Sequence, residues 1–182
     1  MNSQSIVFSP YHNLILTGYM GVGKVAVGKA IATRLGVLFV DLDTEIQLRE
    51  GMPGDEIRQL FGEARLRSLE NELCGELSLR RSSVLSVNGV TLLDEDNRKR
   101  LRNSGPILVL TCALNEILRR LHVSQGARFH DPKVRSAALT QIRREQQVHR
   151  IADLSTLDTT ALTGDQVTEQ AIAFWKAQDV LA

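Results

Sequence analysis

The sequence predicts an α/β fold built on a parallel sheet, and three observations carry that prediction. Short apolar runs alternate along the chain with longer segments whose apolar residues recur at helical spacing. The first run, Asn13-Leu14-Ile15-Leu16-Thr17, feeds the glycine loop Gly18-Tyr19-Met20-Gly21-Val22-Gly23-Lys24-Val25, which opens into an Ala- and Lys-rich helical stretch. The composition, 43% hydrophobic and 24% charged over 182 residues, is that of one globular domain long enough to bury a full core.

Taken in chain order, the apolar runs place strands at 13–17, 37–40, 83–87, 107–112 and, with the weakest pattern, 154–158. Between them the helical spacing predicts helices near 24–35, 43–50, 54–61, 63–80, 94–103, 114–122, 132–149 and 165–180. The last is the clearest, with Val167, Ala171, Phe174 and Trp175 along one face. Strand–helix alternation of this kind covers a parallel sheet with helices and gathers ligands at the carboxyl ends of the strands. One segment breaks the pattern. Residues 124–132, Ser-Gln-Gly-Ala-Arg-Phe-His-Asp-Pro, are polar and aperiodic, and read equally as a lid or as a plain surface connection.

Composition also excludes. A net charge of +1 argues against a general nucleic-acid or membrane-surface binder, and pairs such as Arg80-Arg81 and Arg143-Arg144 read as solvated helix faces. Cys74 and Cys112 lack metal spacing and read as reduced, partly buried thiols. Met1 to His12 has no basic region followed by an apolar core, so no signal peptide is expected, and no apolar run reaches membrane-spanning length. The expected location is the cytoplasm and the expected state a monomer.

The glycine loop carries the chemistry. It matches GxxxxGK, the phosphate-binding loop, in the strand–loop–helix context the motif requires. Backbone N–H groups of Gly21, Val22, Gly23, Lys24, Val25 and Ala26 would face the phosphates at a helix N-terminus, where the dipole favours negative charge. The motif normally closes with Ser or Thr, whose hydroxyl ligates Mg²⁺; Val25 offers nothing to a metal. A second cluster, Phe39-Val40-Asp41-Leu42-Asp43, ends the second strand in two acids at the sheet edge where the loop also opens. Asp41 could hold Mg²⁺ through water. Asp43 could accept a hydroxyl's hydrogen bond, or merely cap the helix that follows.

Together Gly18 to Lys24, Phe39-x-Asp41-x-Asp43, Gly51, and Gly62-Glu63 followed by Arg67 and Glu70 resemble the shikimate kinase family, over residues 13–175. The resemblance implies a P-loop kinase three-layer sandwich with a five-stranded parallel sheet and a small lid. The whole chain, 1–182, is then one domain, with an N-terminal extension at 1–12 and the lid at 122–134. It further implies transfer of the γ-phosphoryl of ATP to the 3-hydroxyl of shikimate, with Mg²⁺ carried by the nucleotide.

Residue by residue, the resemblance gives Lys24, Asp43 and Arg128 catalytic places. Asp43 is the candidate base, and Arg128 is the lid arginine that reaches the transferred phosphate. Arg67 and Arg144 are implied to bind the acceptor's carboxylate, and Gly89 is the surviving glycine of a Gly-Gly-Gly turn that here reads Asn88-Gly89-Val90. Arg120, allowing a one-residue shift, matches an arginine that stacks on adenine. Three departures stand out. Val25 and Ala26 replace a Ser-Thr pair, Phe129-His130-Asp131 replaces the residues after the lid arginine, and Glu145-Gln146-Gln147-Val148 replaces the Pro-Leu-Tyr segment. These keep two alternatives open: a degenerate relative that binds shikimate or nucleotide without efficient transfer, and a kinase for another small hydroxylated acid.

Overall fold

A computed structural model describes residues 10–179. The expected extension at 1–12 falls largely outside the described residues.

Five strands, β1 (Leu14–Gly18), β2 (Leu38–Asp41), β3 (Ser83–Ser86), β4 (Ile107–Thr111) and β5 (Ser155–Asp158), form one sheet in the order β2-β3-β1-β4-β5. Every pairing is parallel, with Leu16 opposite Ser86 on one side and Leu108 on the other. A parallel sheet needs both faces covered, and the strand residues alternate accordingly. Leu14, Leu16, Val84, Leu108 and Leu110 point into one apolar layer, while Ile15, Leu85, Val109 and Val40 point into the other.

The first layer is closed by α1 (Lys24–Leu35), α6 (Leu114–Gln125) and α8 (Gly164–Asp179), which contribute Val27 and Ile31, Ile117 and Leu121, and Val167, Ala171 and Trp175. The second is closed by α2 (Leu42–Glu50), α3 (Gly54–Phe61), α4 (Glu63–Ser78) and α5 (Glu95–Ser104). Helix α4 alone brings Leu66, Leu69, Leu73 and Leu77 at spacings of three and four. Helix α7 (Pro132–Glu145) adds Ala138 and Ile142 to the first layer. Among the described residues no helix is long and apolar enough to cross a membrane, and both cysteines are free and buried.

Two expectations are corrected. The aperiodic segment is not an open loop: α6 runs on to Gln125, and Gly126–His130 form a 3₁₀ turn that buries Phe129. Asp131 then caps α7 by accepting the Lys133 N–H at 2.8 Å, with Pro132 in the first turn, where its missing N–H costs nothing. The helix expected over 132–149 ends as an α-helix at Glu145 and tightens into a 3₁₀ turn over Gln146–Arg150. Helix ends commonly tighten this way when no glycine stands ready to terminate them.

Three consecutive strands therefore deliver their carboxyl ends side by side. The glycine loop follows β1, Asp41 closes β2, and Asn88–Val90 follow β3.

Candidate active site

Gly23, at φ 103°, is the N-cap of α1 and Lys24 its first residue. No side chain caps this helix, so its first N–H groups and the positive end of its dipole face the loop. Gly21 cannot be replaced freely. Its φ is +81°, and a Cβ there would lie 2.9 Å from Cγ2 of Ile117 on α6. The Tyr19 hydroxyl locks the loop to the end of β4, donating to the Cys112 carbonyl and accepting from its N–H, both at 2.6 Å.

Lys24 is buried and donates from Nζ to the carbonyls of Gly18 at 3.1 Å and Tyr19 at 3.3 Å. Burial lowers its pKa, opposed by the charges of Glu145, Asp43 and Asp41. An ammonium has three donors, so the lysine can brace the loop and still reach a phosphate. Val25 and Ala26 occupy the first turn of α1, exposed, with no oxygen on either side chain.

Glu145, the last residue of α7, went unremarked as a site residue in the sequence. It is buried, and its Oε2 accepts the Met20 N–H of the glycine loop at 2.6 Å while its Oε1 accepts from Gln141 at 2.7 Å. The same stretch explains Gly89. A Cβ on Gly89 would lie 2.6 Å from the Glu145 carbonyl oxygen, and its own N–H donates to the Gly18 carbonyl at 3.2 Å. The turn after β3, the glycine loop and the end of α7 are thus pinned together.

The two acids divide their roles. Asp41, not Asp43, caps α2, with Oδ2 accepting from the Thr44 N–H at 3.2 Å and the Thr44 hydroxyl at 3.1 Å. Asp43 stands in the first turn, where both its carboxylate oxygens accept from Nδ2 of Asn88, at 2.8 and 2.9 Å. The Asp43 side chain reaches solvent, yet the protein packed around its carboxyl group raises its pKa; the Asn88 bonds and the Lys24 charge pull it down, and Asp41 pushes it up.

Arg67 and Arg144 do converge on one carboxylate, that of Glu63. Both approach its Oε1, at 3.7 and 3.1 Å, and Arg58 Nε lies 2.9 Å from its Oε2. Arg58 was not singled out in the sequence; four residues into α3, it looks like any solvated helix charge, and it also pairs with Asp55 at 3.0 Å. Three guanidinium groups against the carboxylates of Glu63 and Asp55 leave an excess of positive charge. Arg58 and Arg144 also line a cleft of about 620 Å³ beside α7, with Lys133, Ser136, Thr140 and Gln141. Glu70, between this cluster and Asp43, accepts from the Thr91 hydroxyl at 3.1 Å. Burial, followed by the charges of Asp43 and Glu63, pushes its pKa up to about 7 despite that bond.

On the far side of the loop Arg120 is fully engaged. It bonds Glu116 at 2.9 Å, the Val22 carbonyl at 3.3 Å, and the hydroxyl and carbonyl of Thr159 at 3.1 and 2.8 Å. These bonds fix the guanidinium plane. Arg128 sits exposed on the 3₁₀ turn. His130 is also exposed, edge-on to His122 with ring centroids 4.7 Å apart.

Among the described residues no group of three or more His, Cys, Asp or Glu side chains could hold a metal by itself. The donors present suit a hard cation that keeps its water and arrives on phosphates. Asp41 retains Oδ1 beyond its capping bonds, at the sheet edge beside the loop.

A family model described as Shikimate kinase matches residues 20–176. Among curated relatives, the shikimate kinase of Thermodesulfovibrio yellowstonii is 35% identical over 163 residues, covering 88% of this chain and 92% of the relative. That of Geobacter metallireducens is 32% identical over 167 residues, covering 91% and 93%. A solved shikimate kinase from Bacteroides thetaiotaomicron superposes with a TM-score of 0.72 at 26% identity, covering 92% of this chain and 98% of that one. One from Acinetobacter baumannii, in complex with shikimate, gives a TM-score of 0.77 at 23% identity over 97% and 98%, a likeness of fold.

Proposed function

The chain belongs to the shikimate kinase family, and from that premise we propose that it transfers the γ-phosphoryl group of ATP to the 3-hydroxyl of shikimate. One observation carries the site assignment. The glycine loop with Lys24 and the Asp43 carboxylate follow the carboxyl ends of β1 and β2, and Glu70 lies within electrostatic reach of both Asp43 and the Arg58–Glu63 pair, which supports one site that joins them to the arginine cluster.

Phosphoryl transfer passes through a loose transition state, so the protein mainly positions groups and neutralises charge. The N–H groups at the start of α1 and Lys24 hold the β- and γ-phosphates. Arg120 presents its braced face to the adenine, and Arg128 comes over the transferred group. Shikimate's carboxylate joins the arginine cluster, which offers planar forks of donors to a planar anion. That anchoring leaves the ring hydroxyls toward Gly89 and Asp43. The 3-hydroxyl oxygen attacks phosphorus as the bond to ADP breaks, and Asp43 takes the hydroxyl proton. Mg²⁺, when bound, neutralises phosphate charge; Asp41 would hold it through water, with no help from Val25.

A coupled assay of ADP release with and without shikimate tests the reading. Release that depends on shikimate, and falls about 10²–10⁴-fold in Asp43→Asn, is expected. Val25 supports a second reading, a binder that no longer transfers phosphate. Calorimetric binding of shikimate and nucleotide with no shikimate-dependent ADP release would favour it.

A further inference from the structure

The turn after β3 looks damaged in the sequence, because Asn88 stands where the family resemblance implies the first of three glycines. The structure shows what the asparagine does there. Its Nδ2 lies 2.8 Å from one Asp43 oxygen and 2.9 Å from the other, across 45 residues of chain. The amide must present nitrogen rather than oxygen, since an ionised carboxylate only accepts. We propose that Asn88 is a positioning residue for Asp43, fixing the plane of its carboxylate so that the remaining lone pairs face the acceptor hydroxyl.

The backbone around Asn88 makes it a rigid post. Val87 N–H donates to the Leu16 carbonyl at 3.0 Å and Gly89 N–H to the Gly18 carbonyl at 3.2 Å, so both neighbours are tied to β1 and the glycine loop. Asp43, by contrast, sits in the first turn of α2, where a short side chain is free to rotate about its last bond. An amide nitrogen near the bisector of both oxygens removes that rotation. A carboxylate has about four lone-pair directions, so this contact leaves acceptor capacity for a substrate hydroxyl. Asn88 thereby references the acid on β2–α2 to the loop on β1 that holds the phosphates. A side chain is gained where a glycine is lost, and what it gains is orientation of the acid.

The proposal rests on the kinase reading above, and the experiment separates the two. Initial rates over a range of shikimate are measured for the parent, Asn88→Ala, Asn88→Gly, Asp43→Asn and the double variant Asn88→Ala/Asp43→Asn. Thermal unfolding confirms that each is folded, and the glycine variant decides if the alanine one is not. Loss of one charge-assisted contact and its alignment is expected to lower kcat about 10–100-fold, with the acceptor KM moving less than about threefold. In the Asp43→Asn background, Asn88→Ala is expected to add less than about twofold, because a residue acting only through Asp43 has nothing left to orient. Losses that multiply in the double variant would mean that Asn88 acts elsewhere and overturn the proposal. So would single variants whose kcat stays within about twofold of the parent beside a crippled Asp43→Asn, with the kinase reading intact. Near-normal turnover in Asp43→Asn would overturn the proposal, since Asp43 would then not be the base to be oriented, and would leave the kinase reading intact.

Discussion

Replacing Glu145 with Ala removes the acceptor that holds the glycine loop from beneath, and the cost can be worked from the geometry. The Met20 N–H, now bonded to Oε2 at 2.6 Å, would face a void in a buried setting. An orphaned donor costs about 1–3 kcal/mol, and a hydrogen bond to a charged acceptor contributes about 1.5–3 kcal/mol. Relief from burying a carboxylate works the other way, but Gln141 and the Lys24 charge already compensate that burial. A net loss of about 2–3 kcal/mol is expected, which lowers Tm by about 4–12 °C for a chain of this size. Glu145→Gln separates shape from charge. Its carbonyl oxygen can take the Met20 N–H, so it is expected to lose no more than about 1 kcal/mol. Because the loop is what the bond shapes, the KM for nucleotide is expected to rise in the order parent, Gln, Ala. Calorimetric melting and initial rates at varied nucleotide provide both readings. An Ala variant that melts within about 2 °C of the parent and keeps its nucleotide KM would refute the reasoning.

Glu70 predicts a pH dependence of stability. Its folded pKa, about 7, lies above the ordinary carboxylate value, so its protonated form contributes stability that is complete below about 4.5 and lost as pH rises through about 7. Glu70→Gln is therefore expected to melt higher than the parent at pH 8, with the gap closing toward pH 4; equal melting at both pH values would remove Glu70 from the account. Val25→Ser restores an oxygen at the first turn of α1 and is expected to raise turnover about 10–100-fold while shikimate affinity holds, with rates compared over a range of Mg²⁺. Unchanged rates in a folded variant would show that the hydroxyl is not the missing part. Arg144→Ala and Arg58→Ala are each expected to weaken shikimate binding by about 1.5–3 kcal/mol, read by calorimetry. If Arg58→Ala binds normally, Arg58 serves only to hold Glu63.

Local pattern carried the fold well. The glycine loop and the Ala-rich run after it mark α1 to the residue, and burial on two faces writes β1, β3 and β4 into contiguous apolar sequence, whereas β5, exposed at Ser155, Thr156 and Asp158, has the weakest pattern. Failures occur where one residue decides the outcome. Phe129, a single aromatic in a polar stretch, pulls residues 126–130 into a packed turn without any period to announce it. In the candidate site, the positions that motif spacing selects, such as Lys24 and Asp43, stand out in the sequence. Asn88, Glu145 and Arg58 do not, because their partners lie 45, 125 and 5 residues away and no local rule selects them. Asn88 and Glu145 leave one trace, a polar residue in place of the expected glycine or at the start of the segment that replaces Pro-Leu-Tyr. By pattern alone each is a loss, yet each holds a hydrogen bond, Asn88 to Asp43 and Glu145 to the glycine loop. Arg58 left no trace, since an arginine near the end of a short helix usually faces water.

The departures from the family pattern are therefore not equivalent. Asn88 ties down the acid and Glu145 ties down the loop, so two of the altered positions supply contacts of their own. Val25 supplies none. Its side chain is exposed at the mouth of the loop and carries no oxygen, and Ala26 beside it offers none either. The position faces solvent, so water can take the vacated coordination place. A disturbed metal contact of this kind costs about 10–100-fold, or about 1.4–2.8 kcal/mol, against the 8–23 kcal/mol by which enzymes lower barriers. That arithmetic favours an enzyme slowed at its metal over one disabled. It also locates the defect on the nucleotide side, because Val25 stands in the first turn of α1 after the glycine loop, whereas Arg58, Arg67 and Arg144 are carried by α3, α4 and α7.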